Sequence, residues 1–141
     1  MKKTLKRMGV ALIIIVVALQ FVPVEKTNPP AYGQLTAPPE VQALLHRACY
    51  DCHSNETSWP WYSHVAPASL LIANDVKKGR KEVNFSTWEQ YDERRRARKL
   101  KEIATQVEKG DMPLFYYLPL HPDAKLTAAE RELIVKWAKQ S

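Results

Sequence analysis

Val41-Gln42-Ala43-Leu44-Leu45-His46-Arg47-Ala48-Cys49-Tyr50-Asp51-Cys52-His53 carries two patterns in one stretch. Val41, Leu44, Leu45 and Ala48 recur at helical spacing, so its first part reads as an amphipathic helix. Pro38 and Pro39 stand where that helix begins, and a first turn tolerates proline because its N–H has no intrahelical partner. The helix runs straight into Cys49-x-x-Cys52-His53. A helix delivering that turn, with no run of period-two alternation anywhere in the chain, sets the expectation of an all-α domain.

The turn dictates its own chemistry. Two cysteines three residues apart on a helical turn present both sulfurs to one side, where they can form thioethers with the two vinyl groups of a haem. The following histidine is then held close enough to reach the iron. C-x-x-C-H is accordingly the attachment pattern of c-type haem. Cys49 and Cys52 are the only cysteines. Thioredoxin-like thiols would need a β-α-β context that the sequence lacks. A closed zinc site needs four ligands, and His46, His53, His64 and His121 form no H-x(3–5)-H pair. A local disulfide is the plain alternative in an exported protein.

Downstream, a second helix is expected over about residues 66–78, with Pro67 in its first turn and Gly79 as a stop. A third is expected after Ser86, which with Glu89 spells a capping box; it continues or restarts through Leu100, Ile103, Ala104 and Val107 and ends at Gly110. Thr127 and Glu130 form another such box before Leu133, Ile134 and Trp137. Trp59-Pro60-Trp61-Tyr62 reads as a wall beside the haem edge or as ordinary core.

Lys2, Lys3, Lys6 and Arg7 precede an apolar run over residues 8–24. This reads as a transmembrane signal anchor or a cleaved signal peptide over residues 1–24, with the anchor preferred. The domain is then expected at the inner membrane, facing the periplasm or outside, or else free in the periplasm after cleavage. Residues 25–39 hold Pro29, Pro30, Pro38, Pro39 and Gly33 and suit an extended linker or an extension packed along the domain of residues 40–141. Four of the 21 basic residues and none of the 15 acids lie in the first 24, so the net charge of +6 nearly vanishes in the remainder. No nucleic-acid footprint follows. Arg94-Arg95-Arg96-Ala97-Arg98-Lys99 is a solvated, partly self-paired helix surface or a docking patch for an acidic redox partner.

For the far side of the iron the candidate is Met112, the only methionine outside the N-terminal segment. Pro113 disfavours helix at Met112 and leaves it in a loop able to project over the ring. His53 and Met112 would then be the two metal ligands, a pairing that raises the haem potential and suits electron transfer. His64 and His121 are the fallback ligands.

These residues together resemble a family of small bacterial haem-binding domains, a cytochrome-c-like group. The matching stretches are Cys49-Tyr50-Asp51-Cys52-His53-Ser54-Asn55, Trp59-Pro60-Trp61-Tyr62-Ser63, Val65-Ala66-Pro67, Asp75-Val76 with Gly79-Arg80, Asn84-Phe85-Ser86 with Trp88 and Tyr91, Gly110 with Met112-Pro113, and His121-Pro122 with Ala124. The resemblance spans roughly residues 28–140, and a tryptophan is common in the family where this chain has Leu70. It implies one covalently bound haem c per chain, held by Cys49, Cys52 and His53. The expected function is single-electron transfer between redox partner proteins, without enzymatic activity. A haem-based sensor or peroxidase-like protein with an open distal site is the alternative, and a haem-free interaction module is the third reading.

Overall fold

The structure is a computed structural model and describes residues 2–141. Its regular elements are six α-helices joined by loops and short 3-10 turns, with no strand among the described residues. They are α1 (Lys2–Leu19), α2 (Pro39–Ala48), α3 (Tyr50–His53), α4 (Ala68–Glu82), α5 (Glu93–Lys109) and α6 (Ala128–Gln140). The expectation of an all-α domain holds.

α2 begins with Pro39 in its first turn and buries Val41, Leu44 and Leu45. α5 starts at Asp92, whose carboxylate accepts from Arg95 N at 2.7 Å, and stops at Gly110, a left-handed residue at φ 77°. The expected Ser86–Glu89 box does not form. Asn84 accepts from Ser86 N instead, and residues 85–90 make a 3-10 turn, so the helix restarts at Asp92. The Thr127–Glu130 box does form at the head of α6. α5 packs on α6, and α2 reaches both α3 and α6. Leu45, Phe85 and Ile134 lie at the centre of the resulting core.

Gly79 does not end α4, which continues to Glu82. The reason is packing: α3 presses on α4, and a Cβ at Gly79 would lie 2.4 Å from Cys52 O. Glycine is there for close approach, not as a stop.

Residues 25–39 lie along the domain rather than free of it. Asn28 Nδ2 donates to Thr57 O (3.0 Å), Asn55 Nδ2 to Pro30 O (3.0 Å), and Tyr32 N and Leu35 N to Ser86 O and Phe85 O (2.7 and 2.8 Å). Leu35 is buried in the core.

The preferred transmembrane anchor is not supported. No helix among the described residues is long and apolar enough to cross a membrane. α1 spends its first turns on Lys2, Lys3, Lys6 and Arg7 and leaves residues 8–19 as its apolar part. At 1.5 Å per residue that part is about 18 Å long, against a hydrocarbon core of about 30 Å. α1 buries no residue against the domain.

Four cations of the basic cluster have local partners. The Arg95 guanidinium sits 4.1 Å from the Tyr91 ring centroid, and Arg96 donates to Glu89 O at 2.9 Å. Lys99 is buried and pairs with Glu102 at 2.6 Å, with Arg98 3.9 Å from the same carboxylate.

Candidate functional site

The chain breaks helix at Cys49, the C-cap of α2, and resumes in the single turn of α3. Both arms of the turn are tied to it: Cys52 N and His53 N donate to Cys49 O at 3.2 and 2.9 Å. Cys49, Cys52 and His53 thereby share one turn, as the spacing predicted. The two cysteines are free thiols, each partly buried.

His53 is oriented from behind by α4. Its Nδ1 lies 3.0 Å from Gly79 O and 3.1 Å from Val83 O. Only carbonyl oxygens face this nitrogen, so Nδ1 carries the proton and donates, and the Nε2 lone pair is left for a metal. Burial lowers the pKa of the imidazole, against the raising effect of those two backbone bonds. A neutral imidazole with a pinned ring is the form that ligates iron.

Burial, then its neighbour Cys52, pushes the Cys49 thiol up to about 12. Burial, then Asp51 and Asp75, pushes Cys52 to about 12 despite nearby Arg80. Disulfide-exchange sites do the opposite and lower a thiol pKa to make thiolate at neutral pH. Among the described residues no group of three or more His, Cys, Asp or Glu is placed to hold a metal ion, so the four-ligand zinc alternative has no ligand set. Two thiols on one turn, followed by a histidine with a fixed tautomer, fit a haem attached through its vinyl groups. When bound, the haem supplies a one-electron iron couple.

The loop after α5 closes on this turn. Tyr117 donates its hydroxyl to Asp51 Oδ2 at 2.6 Å, between the two cysteines. Its ring stacks on His121 at 3.9 Å, and His121 Nε2 bonds the Tyr62 hydroxyl. Tyr116 reaches Asp75 Oδ2 on α4 at 3.1 Å. Met112 lies on the same loop, half-buried; its amide donates to Gln106 O (3.3 Å) and its carbonyl accepts from Arg131 Nη1 (3.5 Å). The hydrogen bond from this loop to the C-x-x-C-H turn comes from Tyr117, not Met112. Of the fallback ligands, His121 is engaged by Tyr62, and His64 Nδ1 lies 2.6 Å from Lys26 Nζ. His46 is exposed and stacks on Tyr50.

Trp59 and Tyr62 are half-buried, and Trp61 is 78% exposed. Sequence reading missed the roles of Asp51 and Tyr117. Asp51 sits at a variable place inside the motif, and Tyr117 is one of several aromatics in a row, so neither carried a signal. Arg80 was also missed: it donates to Ser54 O (2.7 Å), Thr27 O (2.8 Å), Asn28 Oδ1 (2.9 Å) and Thr57 Oγ1 (2.9 Å), tying the N-terminal strap to the segment after the turn.

An all-helical domain presenting two cysteines and an oriented histidine on one turn defines a haem-binding class of protein. The Haem-binding domain family matches residues 14–140, nearly the whole chain, and the chain belongs to that family. No curated protein and no solved structure matches it.

Proposed function

We propose that the chain carries one haem c, attached through Cys49 and Cys52 and ligated by His53, and that it passes single electrons between redox proteins outside the cytoplasmic membrane. The observation that carries this reading is the His53 ring, whose Nδ1 is held by two α4 carbonyls so that Nε2 is the free nitrogen. Met112 is the proposed second ligand, on a loop that Tyr117 draws against the attachment turn. Residues 8–19 form an apolar helix behind four cations, the arrangement of an export segment.

The test is haem-stained denaturing electrophoresis after expression with haem-maturation machinery. A haem band that survives denaturation, and is lost in Cys49→Ala/Cys52→Ala, supports the proposal. No covalent haem in the wild type sinks it.

One observation favours a second reading, a sensor or peroxidase-like protein. His121 and Tyr62 form a bonded acid–base pair on elements that meet the attachment turn. Rapid binding of CO or peroxide by the purified holoprotein would select it over electron transfer.

A further inference from the structure

We propose that the domain has a second binding site, for a small apolar monocarboxylate, in a cavity between α5, α6 and the N-terminal strap. The site is independent of the haem reading. None of its lining residues belongs to the C-x-x-C-H turn, to α4 or to the loop after α5.

The cavity measures about 280 Å³. Leu35 lines it from the strap, Trp88 from the 3-10 turn before α5, Glu93, Arg96 and Leu100 from α5, and Trp137 from α6. It lies at the other end of α5 from Met112: Arg96 stands in the first turn, and the helix runs about 20 Å further before Gly110.

The walls are apolar and already packed. Leu35, Trp88 and Leu100 are buried members of the core, and Trp137 is half-buried against it. Two indoles and two leucines suit a flat or aliphatic body, the usual lining of a small-molecule site. The volume falls just below the common range of about 300–1,000 Å³, which limits the ligand to one ring or a short chain.

The polar groups of the cavity are donors that lack acceptors. Arg96 Nη2 donates to Glu89 O at 2.9 Å, but Nε is buried with no partner. No carboxylate lies within ion-pair distance of this guanidinium among the described residues. The indole N–H groups of Trp88 and Trp137 likewise donate to no acceptor among the described residues. Buried donors in folded proteins are normally paired, so an acceptor supplied from outside completes the set. A carboxylate does this best, because it offers two oxygens to a planar fork of which one arm is already engaged. Glu93 restricts the charge. It is exposed on the same cavity, three residues before Arg96 and therefore on the same helix face. One negative charge is matched by Arg96, and a second would meet Glu93.

The experiment titrates the full chain, labelled with ¹⁵N, with 3-phenylpropionate and with its neutral amide. The indole N–H signals are assigned by single Trp→Phe substitutions. The acid should shift the Trp88 and Trp137 signals saturably, leave those of Trp59 and Trp61 in place, and bind roughly tenfold more tightly than the amide, the margin of one charge-assisted pair. Arg96→Met keeps the apolar stem and removes the charge, so it should abolish that preference while the amide still binds. Phenylsuccinate should bind more weakly than the monoacid, and Glu93→Gln should narrow the difference; a dicarboxylate that binds as tightly overturns the restriction to one charge. Equal affinity of the wild type for acid and amide overturns the anion site. Shifts confined to Trp59 and Trp61 place the probe beside the C-x-x-C-H turn and overturn the proposal, as does the absence of any saturable shift at millimolar probe. Should Arg96→Met fail to fold, the wild-type comparison of acid with amide decides.

Discussion

His53 holds its Nδ1 3.0 Å from the carbonyl oxygen of Gly79, and the same glycine lets Cys52 O come within 2.4 Å of where a Cβ would stand. One position on α4 thus orients the histidine and admits the backbone of the turn that carries it. The geometry of the site rests on how closely α3 lies on α4, more than on the short helical turn itself.

Replacing glycine by alanine inside a helix ordinarily gains about 1 kcal/mol. At Gly79 the sign should reverse. The new methyl would meet backbone atoms of Cys52, which cannot swing aside as a side chain would. Gly79→Ala is expected to destabilise the domain by about 1–3 kcal/mol, the usual cost of overpacking. Urea unfolding checks it; a variant as stable as the wild type would show that α3 lifts off α4 without penalty.

Arg80 lies next to that glycine and bonds four acceptors on two segments, the strap and the stretch after the turn. Its planar fork serves several directions at once, which a lysine ammonium on a flexible stem does not reproduce. Arg80→Ala should cost about 2 kcal/mol or more, given four bonds from a charged donor, two of them part-buried. Arg80→Lys should recover little. Hydrogen exchange should quicken first in residues 27–36 and leave α6 protected; uniform loss of protection would mean that the strap and the domain open as one unit.

Much of this was legible in the sequence, and the misses share a cause. The helices announced themselves because apolar spacing and caps are local: Thr127 with Glu130, Gly110, and Pro39 all act where the pattern places them. Gly79 misled because a glycine that ends a helix and one that admits a neighbour look alike until the neighbour is known. Ser86 misled because Asp92, six residues on, caps the helix that Ser86 was expected to start. The C-x-x-C-H turn was readable as a motif, but its supports come from residues 26 to 66 positions away: Gly79 O, Val83 O and the Tyr117 hydroxyl. No local pattern encodes such contacts.

At the head of α6, Glu130 serves two partners. Its carboxylate accepts from Thr127 N at 2.7 Å and pairs with Arg47 on α2 at 2.6 Å. The Thr127 backbone bond, followed by the Arg47 bond, lowers its pKa below the ordinary 4.5. A carboxylate with a depressed folded-state pKa stabilises the fold above its unfolded value, and that stability is lost as pH falls through the folded value. Glu130→Gln keeps the cap but removes the charge. The wild type should therefore exceed the variant in stability at pH 7, and the gap should close below about pH 4.5. Unfolding curves across pH 3–7 check this; a gap that does not change with pH would assign the loss to shape rather than charge.

The distal ligand gives the sharpest remaining test. Met112 follows the left-handed Gly110, and its backbone is tethered to Gln106 and Arg131, so its position is set by the end of α5 and by α6. His121 is the competitor on the same loop, and its Nε2 is already engaged by the Tyr62 hydroxyl while its ring stacks on Tyr117. Freeing His121 would break that bond and the stack; Met112 has no such side-chain bond to give up. A thioether ligand favours ferrous iron and raises the potential relative to imidazole. Met112→Ala in the holoprotein should therefore abolish the weak far-red band of sulfur-to-iron charge transfer and lower the reduction potential, whereas His121→Ala should leave the band in place. Tyr117→Phe tests the route by which the loop is held. Without the bond to Asp51 it should loosen, and the far-red band should weaken without vanishing. Absence of the band in the wild type, with the six-coordinate low-spin spectrum lost in His121→Ala but kept in Met112→Ala, would move the ligand to the histidine and make the Tyr62 contact a feature of the haem-free chain alone.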